Sequence, residues 1–361
     1  MTRLNHKIVL FSLGSMVAFL VACGSDQPVP VATQTTVEQP VAVESVSENS
    51  ELTAEGYPGP DGYPGPETQG TNPETLKRPE QWNQFPGSIA FSSDRISLSD
   101  VFILNGETGL LEKFPVNVAA YEPDWSPDCQ KIGVTGATAT NVFRLFIGDA
   151  SGQNGSADIG TDNSENAFDY GLDWSPNGQI VAFHRLTPPK INICFADAAT
   201  GEVLSCLPNV GYSNAMPAWS PDGTKFVFSS DRSGNYELYS ANYPDDGNYT
   251  QLTNNPDLDY DPEYSPDGSK IVFSSRRTSH FDIYTINPDG SGEAQITSIG
   301  SDEKAPTWVG NSQIALVSDQ TTNDEIFLVD AFGGPVTQLT KDHQLTFNLA
   351  MDSDPTWCGS N

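Results

Sequence analysis

Basic side chains are scarce in this chain of 361 residues: 17 Lys and Arg face 47 Asp and Glu, a formal net charge of −30 at pH 7. So acidic a surface repels phosphates and anionic headgroups, which excludes nucleic acid as a partner. Spread along the whole chain, the excess serves solubility first. Helical periodicity is lacking as well, since no segment sustains apolar residues at 3.6-residue spacing, and this excludes a helical bundle. No G-x-S-x-G nucleophile elbow occurs, so serine hydrolysis of that type has no carrier. A complete calcium-loop signature is missing too.

What is present begins with an address. Arg3, His6 and Lys7 precede an apolar run from Ile8 to Ala22, too short for a comfortable membrane span and suited to an export signal. Its end, Leu20-Val21-Ala22-Cys23, resembles a bacterial lipobox. That resemblance implies removal of residues 1–22 and a diacylglycerol on the Cys23 sulfur, a membrane anchor on an exported protein. Residues 23–84 are rich in Pro, Thr, Val, Glu and Gly and hold few large apolar side chains beyond Tyr57, Tyr63 and Trp82. Such a composition cannot bury a core and reads as a disordered linker. It contains "GYPGP" twice, at 56–60 and 62–66, where proline favours polyproline II and glycine restores bending. About 60 flexible residues separate their ends by roughly 45 Å, enough to hold a domain clear of a bilayer.

From residue 85 the chain repeats. Aromatic anchors stand at Trp125, Trp174, Trp219, Tyr264, Trp308 and Trp357, at intervals of 49, 45, 45, 44 and 49 residues. This period is too long for a leucine-rich repeat and suits a four-stranded blade. Each unit keeps one order: an anchor segment such as "MPAW" (216–219), a turn such as "SPDG", and a β-run such as "KFVFSS" (225–230). An alternating strand such as "YELYSAN" (236–242) follows, then a last strand ending "QLT" or "QIT". Residues 88–95, "SIAFSSDR", match the second strand "KFVFSSDR" (225–232), whereas "SDPTWC" (353–358) supplies a first strand. The two pieces complete one blade. The expectation is an all-β, six-bladed propeller of four-stranded blades over residues 85–361, its first blade closed by the C-terminal strand, which removes an open edge.

The turns "WSPDC" (125–129), "WSPNG" (174–178), "WSPDG" (219–223) and "YSPDG" (264–268) resemble the repeats of the TolB-like, or WD40-like, β-propeller family. The resemblance covers residues 85–358; the unit at "WVGNS" (308–312) departs by losing Ser-Pro. TolB itself carries an α/β domain before its propeller and works with the peptidoglycan-associated lipoprotein. Here the lipobox and linker hold that place, so the chain reads as a lipoprotein form without that domain, and the partner is not carried over. A propeller fold alone fixes no function; the expectation is a noncatalytic binding module, monomeric in its propeller and, through the lipobox, lipid-anchored to the bacterial cell envelope, at the outer face of the plasma membrane or in the periplasm. Its partner would be an envelope protein, peptide or glycan met at a propeller face. Related propeller lyases use clustered histidines and a metal. His184, His280 and His343 take different positions in their units, so the alternative, a metal-assisted lyase or hydrolase of an extracellular polymer, has no visible centre.

Acidic positions recur before the anchors. Five residues before stand Ala120, Asp169, Asn214, Asp259, Glu303 and Asp352; three before stand Glu122, Gly171, Met216, Asp261, Ala305 and Asp354. Chain entering the innermost strands surrounds one mouth of a propeller's channel, and the loops after the second strands bring Arg95, Arg185, Arg232 and Arg276 to that face. The expected binding face is therefore Arg95, Asp169, Arg185, Arg232, Arg276, Glu303, Asp352 and Asp354, with arginine–carboxylate pairs between blades. Asp257 beside Asp259 and Asp261 makes the fifth unit the candidate for a calcium ion, which prefers oxygen ligands.

Four cysteines remain beyond Cys23, an even number that predicts disulfides in an exported protein. Cys194 and Cys206 are equally distant from Thr200 at a hairpin turn, which sets them opposite one another. Cys129 occupies the glycine position of its turn and Cys358 follows the anchor on the closing strand. The expected pairs are Cys194 with Cys206, and Cys129 with Cys358 as a clasp across the ring's ends.

Overall fold

Ser-Pro-Asp-Gly turns organise the chain locally. The computed structural model describes residues 85–94, 99–114, 119–137, 143–151, 157–160, 167–208, 211–321, 323–340 and 352–359. In its first such turn Ser126 Oγ donates to Asp128 Oδ1 (2.7 Å) and accepts from the Lys131 N–H (2.9 Å), while the Cys129 N–H reaches the Ser126 carbonyl (2.8 Å). The same three bonds recur at Ser175, Ser220 and Ser265. Proline presets the turn, and the fourth residue turns left-handed. That suits Gly223 (φ 69°) and strains Cys129 (φ 57°).

These turns join the first two strands of a blade. β1 (Ser88–Ser93), β2 (Asp100–Asn105) and β3 (Leu111–Lys113) belong to the first blade. The second holds β4 (Ala119–Trp125), β5 (Lys131–Ala137), β6 (Phe143–Asp149) and β7 (Ala157–Ile159). The third holds β8 (Phe168–Trp174), β9 (Ile180–Thr187), β10 (Lys190–Asp197) and β11 (Val203–Cys206). The fourth holds β12 (Asn214–Trp219), β13 (Lys225–Ser230), β14 (Glu237–Asn242) and β15 (Tyr249–Gln251). The fifth runs through β16 (Asp259–Tyr264), β17 (Ile271–Ser275), β18 (Asp282–Ile286) and β19 (Ala294–Gln295). The sixth runs through β20 (Glu303–Val309), β21 (Gln313–Ser318), β22 (Glu325–Asp330) and β23 (Thr337–Gln338). β24 (Asp352–Cys358) pairs antiparallel with β1, so the first blade reads β24-β1-β2-β3. Six four-stranded antiparallel sheets result, as the repeat predicts, and no helix occurs among the described residues. Residues 1–22, the linker 23–84, Cys23 and Arg95 lie outside the described residues, and Asp352 is described by its backbone alone.

The hydrophobic core lies between blades rather than at the centre. One cluster joins Leu145, Ile147 and Ile159 to Leu172, Trp174 and Phe183; another joins Phe195 and Leu207 to Trp219, Phe226 and Phe228. Each large apolar side chain buried this way contributes about 1.5–3 kcal/mol. The "QLT" endings acquire a reason: Thr253 Oγ1 accepts the Leu238 N–H (2.9 Å) and donates to Glu237 (2.7 Å), and Thr297 and Thr340 accept the Ile283 and Ile326 N–H groups (2.9 Å each).

Both disulfides are formed, Cys129 to Cys358 and Cys194 to Cys206, the latter as directly opposed residues of β10 and β11. The first joins positions 229 residues apart and ties the closing strand to the second blade; the second spans 12 residues. On chain entropy the long clasp contributes at most about 5.5 kcal/mol and the short one about 3 kcal/mol or less. Cys129→Ser with Cys358→Ser should therefore lower the urea midpoint more than Cys194→Ser with Cys206→Ser. Equal midpoints for the two double variants would remove the clasp's special role.

Candidate functional site

Every innermost strand is broken at the same place. Between the fourth residue before the anchor and the last, the pairing with the second strand slips, as from Tyr121 to Asp124 and from Tyr260 to Glu263. The residue three before the anchor is left-handed in all six blades: Glu122 (φ 47°), Gly171 (50°), Met216 (52°), Asp261 (52°), Ala305 (46°) and Asp354 (53°). Proline follows it everywhere except at Leu172. The bulge turns these residues to the axis, where they line a cavity of about 140 Å³.

Two tiers of carboxylates stand in this channel, and they tie neighbouring blades together. In the first, Glu122 Oε2 accepts the Gly171 N–H and the Thr135 hydroxyl (2.9 Å each), while Asp261 accepts the Ala305 N–H. In the second, Asp124 accepts the Trp174 N–H (3.3 Å) and the Thr356 hydroxyl (2.8 Å), and Asp173 accepts the Trp219 N–H (2.6 Å). Glu263 accepts the Trp308 N–H and the Thr307 hydroxyl (3.2 Å each). Each backbone bond crosses a blade junction.

Enclosure by six strands leaves these groups poorly hydrated. Burial, then the charge of Asp354, pushes Glu122 up to about 7, against the bonds from Thr135 and Gly171. Asp261 rises to about 7 through burial and then Asp354, with Lys304 partly offsetting. Burial alone lifts Asp124 to about 7, and burial leads the rise of Glu263 to about 8. Asp173 is raised well above the carboxylate range by burial and then by Asp124. His184 is 4 % exposed, its ring stacked 5.5 Å from Tyr170, and burial lowers its pKa to about 4, so the imidazole is neutral.

The structure divides the predicted binding face. Asp169 and Asp259 are fully buried and bound by arginines of their own blades: Arg185 reaches Asp169 in bidentate fashion (2.7 and 2.9 Å), and Arg277 reaches Asp259 (3.0 Å). The expected pairing between blades is thus corrected for these two, because Asp169 and Arg185 face each other across β8 and β9. Arg144 and Lys190 do cross a junction, to Asp169 (3.6 Å) and Asp231 (3.7 Å). Glu303 is met by Ser301 and Ser318 rather than by arginine, and burial raises it to about 7. Arg276 is exposed beside the Phe281 ring, and Arg232 lies among aromatic rings; Asp354 faces the channel.

Asp257, Asp259 and Asp261 are not brought together. Alternation would set Asp259 and Asp261 on one face, but the left-handed bulge at Asp261 turns it to the channel while Asp259 is held by Arg277 and Asn255. Asp257 stays in the preceding loop, its carbonyl accepting from Asn235. Among the described residues no three His, Cys, Asp or Glu side chains are arranged to hold a metal ion. Sequence reasoning missed Asp124, Asp173 and Glu263. Their signal was an acid directly before the anchor, in "PDW", "LDW" and "PEY".

A family model described as the TolB beta propeller domain matches residues 134–343. Among solved structures, TolB from Acinetobacter baumannii is 18% identical with a TM-score of 0.62, over 76% of this chain and 67% of that one. A putative TolB from Agrobacterium tumefaciens is 22% identical with a TM-score of 0.54, over 71% and 89%. Hydrazine synthase from Kuenenia stuttgartiensis is 13% identical with a TM-score of 0.59, over 80% of this chain but 52% of that one. At these identities the structures share a fold.

Channel carboxylates with raised pKa values hold protons that the unfolded chain, titrating near 4, has released. Their stabilisation is complete below about pH 4 and is lost as pH rises through 7 to 8. Thermal unfolding followed from pH 5 to 9 at constant salt should give a falling Tm, and Glu122→Gln with Asp261→Asn should flatten the slope. A Tm that climbs across this range would contradict the assignment.

Proposed function

The chain belongs to the TolB beta-propeller family, and on that footing we propose that it is a noncatalytic binding module whose channel receives a cationic segment of a protein or peptide partner. A Lys or Arg side chain, or a free amino terminus, fits this chemistry. One observation carries the reading: Glu122, Asp261 and Asp354 converge in a proline-lined cavity in which burial and mutual repulsion disfavour their charge. A bound cation offsets both penalties, and a rigid wall spares it the cost of ordering the site. A neutral glycan would leave the carboxylates uncompensated.

The propeller is proposed to act outside the cytoplasm, held at the cell envelope by lipid on Cys23. Two disulfides favour an oxidising compartment, and "LVAC" supplies the attachment site.

Immobilised full-length protein, used to enrich partners from native envelope with cross-linking, should capture a partner whose basic residues map to the channel. Glu122→Gln, Asp261→Asn and Asp354→Asn together should reduce capture about tenfold, consistent with loss of charge-assisted bonds. Undiminished capture would move the site elsewhere. In fractionated cells Cys23→Ser should shift the protein from membrane to soluble fraction; a mature mass with Cys23 unmodified would sink the anchor.

A further inference from the structure

Arg232 is a half-buried guanidinium that touches no carboxylate among the described residues, whereas its counterpart in the next blade touches two. In the fifth blade Arg277 lies over Phe273 and Tyr284 and is bound by two carboxylates, Asp259 and Glu293. Register identifies the equivalent positions in the fourth blade. Asp259 opposes Ser275 as Asn214 opposes Ser230, and Glu293 stands two residues before Gln295, which pairs with Tyr284, as Tyr249 stands two before Gln251, which pairs with Tyr239. Both acids are replaced, by Asn214 and Tyr249.

The cation remains. Arg232 Nε donates to Ser230 Oγ (3.0 Å) and Nη2 to Asn214 Oδ1 (2.8 Å), and Nη1 has no partner among the described residues. Four rings surround the guanidinium: Tyr249 at 4.1 Å, Tyr212 and Tyr239 at 4.6 Å, and Phe228 at 5.2 Å. Asp245 acts on Arg232 by its charge without touching it, its oxygens accepting the Tyr249 hydroxyl (3.1 Å) and the Gly247 N–H (3.0 Å). Burial lowers the Arg232 pKa from its usual value. A cation so enclosed is a strong donor to any anion that can reach it.

We propose that Arg232, with Tyr212 and Tyr249 beside it, forms a second binding site, at the junction of the third and fourth blades, for a side-chain carboxylate of an extended peptide. Arg277 shows the chemistry the position takes, a carboxylate on a flexible stem resting on aromatic rings. With a net charge of −30 the molecule repels polyanions in proportion to their charge. A single carboxylate suffers least, and apolar contact with half-exposed Tyr212 and Tyr249 supplies what long-range attraction does not. This site is independent of the acidic channel and takes the opposite charge.

Isothermal titration of the full chain with acetyl-Ala-Val-Glu-Val-Ala-amide, its Gln counterpart and methyl glucuronide tests the proposal. The Glu peptide should bind saturably and at least about tenfold more tightly than the Gln peptide. Asn214→Asp, which restores the internal counter-ion while giving up the Asn214 Nδ2 bond to Asn192 Oδ1 (3.1 Å), should weaken the Glu peptide about tenfold, and Arg232→Gln should abolish the Glu preference. No saturable binding, equal binding of the two peptides, or a preference unchanged in Asn214→Asp overturns the site. Tighter binding of the glucuronide overturns the peptide reading in favour of an acidic glycan.

Discussion

One left-handed residue in each inner strand governs this propeller. At a non-glycine position that conformation costs on the order of 1–3 kcal/mol, and here Glu122, Met216, Asp261, Ala305 and Asp354 all adopt it. It persists because the bulge releases N–H groups from the strand ladder and the neighbouring blade satisfies them. The Gly171 N–H goes to Glu122, and the Trp174 N–H to Asp124. Backbone strain and inter-blade hydrogen bonding are therefore one device.

That device fixes the electrostatics of the centre. Acceptors are required where the freed N–H groups point, and carboxylates fill the role at Glu122, Asp124, Asp173, Asp261 and Glu263. Burying them raises their pKa values, with mutual repulsion second, so structure and proton affinity rise together. A merely structural need for acceptors leaves a cavity suited to cations. Away from the bulges the acids vary: Asn214 and Tyr249 flank Arg232 where Asp259 and Glu293 bind Arg277.

Much of this was legible in the residues. Ser-Pro-Asp-Gly turns and anchors at near-constant spacing are local signals, and the match of "SIAFSSDR" to "KFVFSSDR" revealed the shared blade. The hairpin centred on Thr200 placed Cys194 opposite Cys206. The acids five positions before the anchors were assigned to the channel mouth, but Asp169 and Asp259 turned out to be buried partners of Arg185 and Arg277. Antiparallel pairing sets each of these acids across from the second strand of its own blade, where an arginine meets it.

Sequence by itself determined the number of blades, their closure by the C-terminal strand and the hairpins, because each is written in contacts between residues close along the chain or in a repeat. Only the tertiary structure decided what the acids touch. Asp124 and Thr356 are 232 residues apart yet joined at 2.8 Å, and Asp173 meets the Trp219 N–H one blade onward. A carboxylate before an aromatic anchor looks the same in sequence whether it faces water, an arginine or a strand's freed amide. Its partner is chosen by the ring that brings six bulges to one axis, and no local pattern records that meeting.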